Sequence, residues 1–298
     1  MSLPGILSTY PIAGSSKSYP YFTSGAIDST KAVIFIGGLT NGLMSVDYVS
    51  ALSSTLETAG WKLIQMHWSS AYDGYMTGSL DRDVSEMASL VKHLRSQVVL
   101  GLETVVLMGH STGCQDVMHY LTSPSSDSRP TVEGGILQAP VSDREYYEQV
   151  DNDYTHIWRT RFDQAEQMVK EGKGDHLLDW EFSQKVGHAT AYRLISLYAK
   201  GGDDDYFSSD LPNEHEEPHK HPLSASFGEL PVPILALWSG NDEFSRVPSV
   251  PDLMARWEHA GKGKLESRIV DGAGHAANEA GPQKQLCEEV NGWLKRHF

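Results

Sequence analysis

Short apolar runs alternate along this chain with longer stretches in which apolar residues recur at helical spacing. Unbroken apolar runs of this length are typical of strands that are covered on both faces. They are Ala32–Ile36, Lys62–Trp68, Thr104–Met108, Gly134–Gln138, Ile234–Trp238 and Leu265–Val270. The amphipathic stretches predict helices at Val46–Ala59, Leu80–Val98, Thr112–Leu121, Pro251–Ala260 and Gly281–His297. This alternation predicts an α/β fold with a mostly parallel sheet flanked by helices on both faces, and the Tyr-, Ser-, Gly- and Pro-rich N-terminal segment favours an antiparallel edge.

One interval interrupts this alternation. Between Pro140 and Ile234 no comparable strand occurs, and Phe162–Glu171 and Ser183–Ala199 predict helices. A structureless loop of such length is unusual inside a compact domain. We therefore expect a single domain over residues 1–298, with a cap or lid inserted at residues 146–229. The alternative is a surface insertion without a role at a site.

Composition and charge exclude several classes of partner. Lys and Arg number 24 against 39 Asp and Glu, a net charge of −15, which repels phosphate backbones and anionic membranes. We therefore expect no nucleic-acid and no membrane partner, while the oligomeric state stays open. The two cysteines, Cys114 and Cys287, are not a disulfide framework, and the first fourteen residues lack a signal-peptide pattern, so we expect a cytoplasmic protein.

A candidate nucleophile lies where a predicted strand meets a predicted helix. Gly109-His110-Ser111-Thr112-Gly113 fits the G-x-S-x-G pattern of a nucleophile elbow. The flanking glycines suit a strained turn at which side chains would collide with the neighbouring strand and helix. We predict that Ser111 is the nucleophile and that the adjacent His110 points away from it.

The base and the acid are expected later in the chain, in the order serine, acid, histidine. His275 ends Gly272-Ala273-Gly274-His275, just past the last apolar run, and is predicted to be the general base. Asp242 follows Ile234–Trp238 and can orient the imidazole, with Glu243 as the nearer rival and Asp271 as the weaker one.

The turn after the first apolar run, Gly37-Gly38-Leu39-Thr40, suits an oxyanion hole. We predict backbone N–H donors at Leu39 and Thr112, with Thr40 as the alternative to Leu39. The turn lacks the spacing of nucleotide-binding glycine loops, so we expect no nucleotide cofactor.

A histidine-rich segment raises the question of a metal. His215, His219 and His221 lie among glutamates and two prolines in a polar run, a composition more typical of a solvent-exposed loop. We therefore predict no metal site and no cofactor.

The chain from Lys31 to His275 resembles an α/β-hydrolase, with GHSTG, SGNDEF and GAGH in the expected order. The extended elbow GHSTGCQD is similar to a narrower family of fungal and protist hydrolases, one branch of which comprises intracellular siderophore esterases that cleave fusarinine-type iron chelators. The resemblance implies a serine esterase that cleaves carboxylic esters through an acyl-enzyme, with a small-molecule ester such as a siderophore as substrate. A thioesterase, an amidase or an acyltransferase would use the same triad, and a non-catalytic binding protein of this fold is the remaining alternative.

Overall fold

A computed structural model describes residues 2–124 and 128–298, and within them the strands form one sheet. The strands are β1 (Ile6–Pro11), β2 (Ser18–Gly25), β3 (Lys31–Ile36), β4 (Lys62–Met66), β5 (Thr104–His110), β6 (Gly134–Gln138), β7 (Ile234–Ser239) and β8 (Leu265–Val270). Their hydrogen-bonded order is β1-β2-β4-β3-β5-β6-β7-β8. The pairs β1–β2 and β2–β4 are antiparallel, and the other pairs are parallel. This architecture confirms the predicted α/β fold and its antiparallel edge.

Both faces of the sheet are covered, which explains why its strands are almost continuously apolar. In β3, Ile34 packs into a core cluster with α2 (Leu80–Arg95) and α3 (Gly113–Thr122), whereas Val33 and Phe35 face the opposite cluster. Successive side chains of a strand point to opposite faces, so an unbroken apolar run requires two apolar layers.

The helices lie close to their predicted positions. They are α1 (Val49–Thr58), α2, α3, α4 (Asp143–Gln149), α5 (Asp153–Arg159), α6 (Phe162–Lys170), α7 (Trp180–Val186), α8 (Ala191–Tyr198), α9 (Val250–Ala260) and α10 (Ala280–His297). The α2 helix starts at a Ser79 N-cap and stops at Arg95, three residues before its predicted end. Among the described residues, no helix combines the length and the apolar character that crossing a bilayer requires.

Five short helices, α4 to α8, occupy the interval between β6 and β7. The stretch Ser183–Ala199, predicted as one helix, is divided between α7 and α8 because Gly187 adopts a left-handed φ of 102° that ends α7. The two helices then share one aromatic core, in which Trp158 lies 5.1 Å from Phe182 and 5.3 Å from Tyr198, between ring centroids. The interval therefore has its own apolar packing.

The histidine-rich segment differs from expectation. His215 is exposed, but His219 is only 4% exposed, and the ring of His221 stacks on that of Tyr206 with 3.7 Å between centroids. The prediction of a solvent-exposed loop is therefore wrong for His219 and His221, because the buried Tyr206 anchors the segment to the domain. Among the described residues, no group of three or more His, Cys, Asp or Glu side chains is arranged to hold a metal ion.

Candidate active site

Ser111 lies on the sharp turn between β5 and α3, with a left-handed φ of 54° that is unusual for a residue other than glycine. The turn is held by a hydrogen bond of 3.0 Å from the Ser111 N–H to the Gln138 carbonyl. A Cβ at Gly109 would lie 2.3 Å from the Gly113 carbonyl oxygen, and one at Gly113 would lie 2.4 Å from the Ile36 carbonyl oxygen. The glycines of the motif therefore let strand and helix approach closely enough to present the serine.

His275 and Asp242 follow the last two strands and meet at the same edge of the sheet. The Nδ1 atom of His275 lies 2.8 Å from Asp242 Oδ2 and 3.0 Å from Oδ1. The Asp242 side chain is fully buried, and its Oδ1 also accepts the Phe244 N–H at 3.0 Å. With Nδ1 occupied by the carboxylate, Nε2 is the imidazole nitrogen that can take up a proton.

The rival carboxylates have other contacts. Glu243 is exposed, and its Oε2 accepts the backbone N–H of His275 at 2.8 Å, so it holds the loop and not the ring. Asp271 is also exposed, and no hydrogen bond joins its carboxylate to His275 within the described part of the chain. The geometry therefore favours Asp242 as the partner of the imidazole.

The glycine turn after β3 lies directly against the serine. A Cβ at Gly38 would lie 2.6 Å from the Ser111 Cβ and 3.2 Å from its Oγ, so only glycine permits this approach. The Gly38 N–H donates to Asn41 Oδ1 at 2.9 Å. Among the described residues, the backbone N–H groups of Leu39 and Thr112 have no protein acceptor, and the same holds for Thr40. These N–H groups are therefore available to an oxyanion.

His110 is buried beside the site, and that its side chain points away from Ser111 stays a prediction. The residue lines the same cavity as Ser111, and its ring lies 5.1 Å from the His275 ring, between centroids. Burial, followed by the repulsion of His275, lowers the pKa of His110 to about 3, so its imidazole stays neutral. β5 extends through His110, and the buried ring pairs through Nδ1 with Gln138 Oε1.

Gln138, at the end of β6, is a site residue that the sequence did not identify. Its Oε1 accepts from the Tyr48 hydroxyl at 3.1 Å and pairs with Nδ1 of His110, and its Nε2 donates to the His275 carbonyl at 3.2 Å. A fully buried glutamine needs such partners. The sequence offered one indication of this role, a polar residue at the end of an apolar run. It could not show the partners of Gln138, because they lie in three distant segments of the chain.

Ser111 and His275 open into one cavity of about 540 Å³. Asp143 and Tyr75 line it, as do Tyr146, Tyr154 and Tyr198 from the interval between β6 and β7. Burial raises the pKa of the Asp143 carboxyl to about 7, and the repulsion of Asp204 adds to the effect. The cavity is thus lined mainly by aromatic and apolar side chains, among which a smaller number of polar groups lie, and it has room for a small organic molecule.

Asp116, the last residue of the extended elbow motif, lies behind the site. It is 5% exposed, and burial raises the pKa of its carboxyl well above the usual range. Nearby, Arg193 donates to both carboxylate oxygens of Asp204, at 2.8 and 2.9 Å. This buried ion pair lies within the interval between β6 and β7.

The similarity to known proteins extends over almost the entire chain. The family described as "Protein of unknown function (DUF1749)" matches residues 1–295. The chain is 30% identical to the Fusarinine C esterase sidJ of Aspergillus fumigatus, over 98% of this chain and 96% of that protein. It is 28% identical to Esterase AN6793 of Emericella nidulans, over 96% of this chain and 90% of that protein. The solved structure of the siderophore hydrolase EstB from Aspergillus fumigatus matches with a TM-score of 0.81 and 28% identity, covering 99% of this chain and 98% of that one.

Proposed function

This chain belongs to the DUF1749 family, and from that membership and the geometry of its site we propose that it is a serine esterase that cleaves siderophore esters. The observation that carries the proposal is the His275–Asp242 pair, 2.8 Å apart, opening into the same cavity as a serine held at a φ of 54°. The relatives named as a fusarinine C esterase, an esterase and a siderophore hydrolase support the same activity.

The proposed reaction proceeds by acyl transfer to Ser111. Its Oγ attacks the ester carbonyl while Nε2 of His275 takes the hydroxyl proton, and Asp242 stabilises the imidazolium through Nδ1–H. Backbone N–H groups of Leu39 and Thr112 receive the oxyanion, each donor being worth roughly 10²–10³ in rate. The proton then passes to the departing alcohol. Water, deprotonated by the same histidine, adds to the acyl-enzyme and releases the acid and the serine.

The substrate class follows from the relatives and from the character of the cavity. A relative named fusarinine C esterase is similar over 98% of this chain, and the cavity that contains Ser111 places tyrosine hydroxyls and the carboxyl groups of Asp143 and Glu243 among its apolar side chains. We therefore propose a bulky polar ester of the fusarinine type as the substrate.

Mass spectrometry of a reaction with purified enzyme tests this proposal. Incubation with the cyclic ester fusarinine C should give the ring-opened product and then linear fragments, each step adding one water, while hydroxamate groups stay intact. The Ser111→Ala protein is the matched control and should leave the ring closed. Efficient cleavage of long-chain acyl esters together with an intact fusarinine ring would contradict the siderophore assignment and leave only a generic esterase.

We also propose that residues 146–229 form a cap within the single domain. Tyr146, Tyr154 and Tyr198, all from this range, line the cavity that contains Ser111. Tyr154→Phe removes the hydroxyl that contacts the Tyr198 hydroxyl at 2.5 Å, and it should therefore change KM more than kcat if the cap contacts substrate. A variant with unchanged KM for every ester would count against this role.

A cytoplasmic location is the last part of the proposal. Cys114 and Cys287 are both free and buried, as expected in a reducing compartment. Fractionation of cells that produce the protein would test it, and recovery of the enzyme in the medium would contradict it.

A further inference from the structure

Three tyrosines line the cavity. The hydroxyls of Tyr154 and Tyr198 lie 2.5 Å apart, and Tyr75 lines the same cavity. Burial raises the pKa of each phenol, so all three stay protonated at neutral pH. We call Tyr75, Tyr154 and Tyr198 the tyrosine wall. A chain of phenols offers oxygen acceptors and ring faces to whatever occupies the cavity.

Asp143 adjoins this wall and lacks a full set of partners. Its Oδ2 accepts from Gln115 Nε2 at 2.9 Å, while its Oδ1 has no hydrogen-bond partner within residues 2–124 and 128–298. The carboxyl group interacts electrostatically with each hydroxyl of the tyrosine wall. Asp143 therefore presents an unsatisfied acceptor to the cavity.

Within the described part of the chain, no Lys or Arg side chain forms an ion pair with this carboxyl group, and His275 acts on it only electrostatically. Among the described residues that line the cavity there is no Lys or Arg, whereas Glu243 is a second carboxylate. Arg193 attracts Asp143 at longer range, but its guanidinium is already bonded to Asp204 and to the Tyr75 carbonyl. A partly buried carboxylate without a paired cation is costly, and a positively charged ligand in the cavity would offset that cost by favouring the ionised form of Asp143.

We propose that Asp143 and the tyrosine wall form a subsite for a protonated primary amine on the ester substrate. This inference rests on the proposed esterase function and names one group of its substrate. An ammonium has three N–H donors, enough for the Asp143 carboxylate and two phenol oxygens, and the tyrosine rings can add cation–π attraction. A carboxylate or phosphate group on the substrate would be repelled at the same position.

Hexylammonium chloride is the probe, and hexan-1-ol is the neutral control of similar size. Isothermal titration calorimetry with the Ser111→Ala protein measures binding without turnover. Inhibition of p-nitrophenyl acetate hydrolysis measures it in the active enzyme. We expect hexylammonium to bind at least about tenfold more tightly than hexan-1-ol, as a charge-assisted hydrogen bond would give, and to inhibit competitively.

Asp143→Asn keeps an acceptor for Gln115 but removes the charge. It should weaken hexylammonium binding by about tenfold and leave hexan-1-ol binding unchanged. Asp175→Asn is the matched control, because Asp175 is exposed on the cap, does not line the cavity and carries the same charge. This control should leave both affinities as in the unmodified enzyme.

Two results would overturn the subsite. One is equal binding of the ammonium and the alcohol. The other is an Asp143→Asn protein that loses turnover of every ester equally with its ammonium affinity intact, which would place Asp143 as a positioning residue for His275. Ammonium binding without ester hydrolysis would instead contradict the proposed function and leave the subsite standing.

Discussion

Gly38→Ala tests how closely the turn Gly37-Gly38-Leu39-Thr40, the proposed source of an oxyanion donor, must approach Ser111. The added Cβ would lie 2.6 Å from the Ser111 Cβ, about 0.8 Å inside the 3.4 Å at which ordinary contact begins. The His110 carbonyl oxygen, 3.0 Å away, closes the other side, so the turn itself must move. A displacement of ~1 Å in a catalytic group can cost about 10²-fold in rate, and losing one oxyanion donor costs ~10²–10³.

We therefore expect kcat for p-nitrophenyl acetate to fall about 10²-fold in Gly38→Ala, with a smaller change in KM, because the donors act mainly in the transition state. Gly281→Ala is the matched control, since its added Cβ meets nothing within 4 Å and the residue lies in α10. Thermal unfolding followed by circular dichroism checks that both variants fold. A folded Gly38→Ala enzyme with kcat within about threefold of the unmodified enzyme would refute the reasoning, because the turn would then not supply an oxyanion donor.

The remaining predictions concern the triad and the cavity. Ser111→Ala should abolish turnover and fluorophosphonate labelling without lowering Tm, and persistent labelling would place the nucleophile elsewhere. Asp242→Asn should reduce kcat by about 10⁴ by favouring the wrong imidazole tautomer, whereas Glu243→Gln, which can still accept the His275 N–H, should cost less than about tenfold. The reverse ranking in steady-state kinetics would exchange the two assignments. Burial raises the pKa of Asp143 from 3.8 to about 7. Between these two pH values the folded protein keeps a proton on Asp143 that the unfolded chain releases. The free energy of unfolding therefore falls as the pH rises through this range. Asp143→Asn should therefore gain stability relative to the unmodified protein between about pH 4 and about pH 8 in urea unfolding, and a gap that stays constant with pH would contradict the raised pKa.

The local pattern of apolar and polar residues was sufficient to predict the sheet and the helices that cover it. The unbroken apolar runs are the strands of the parallel sheet because both faces of that sheet are covered, and this requirement acts on every residue of a strand. Ser111 and His275 could be proposed from the sequence because the elbow and the last loop join elements that neighbour one another in sequence. Helix ends were less predictable, as at Gly187, where a single left-handed residue divides one predicted helix into α7 and α8.

Tertiary structure decided what lies around the proposed triad. Asp242 and Glu243 are adjacent in sequence, yet one bonds the imidazole and the other the backbone N–H, a difference set by how the loop turns beside β8. Gln138 acquires its role from Tyr48 and His275, which lie 90 and 137 residues away in the chain. Such contacts depend on the packing of distant segments against one another, and the periodicity of a short segment records only which of its faces is buried.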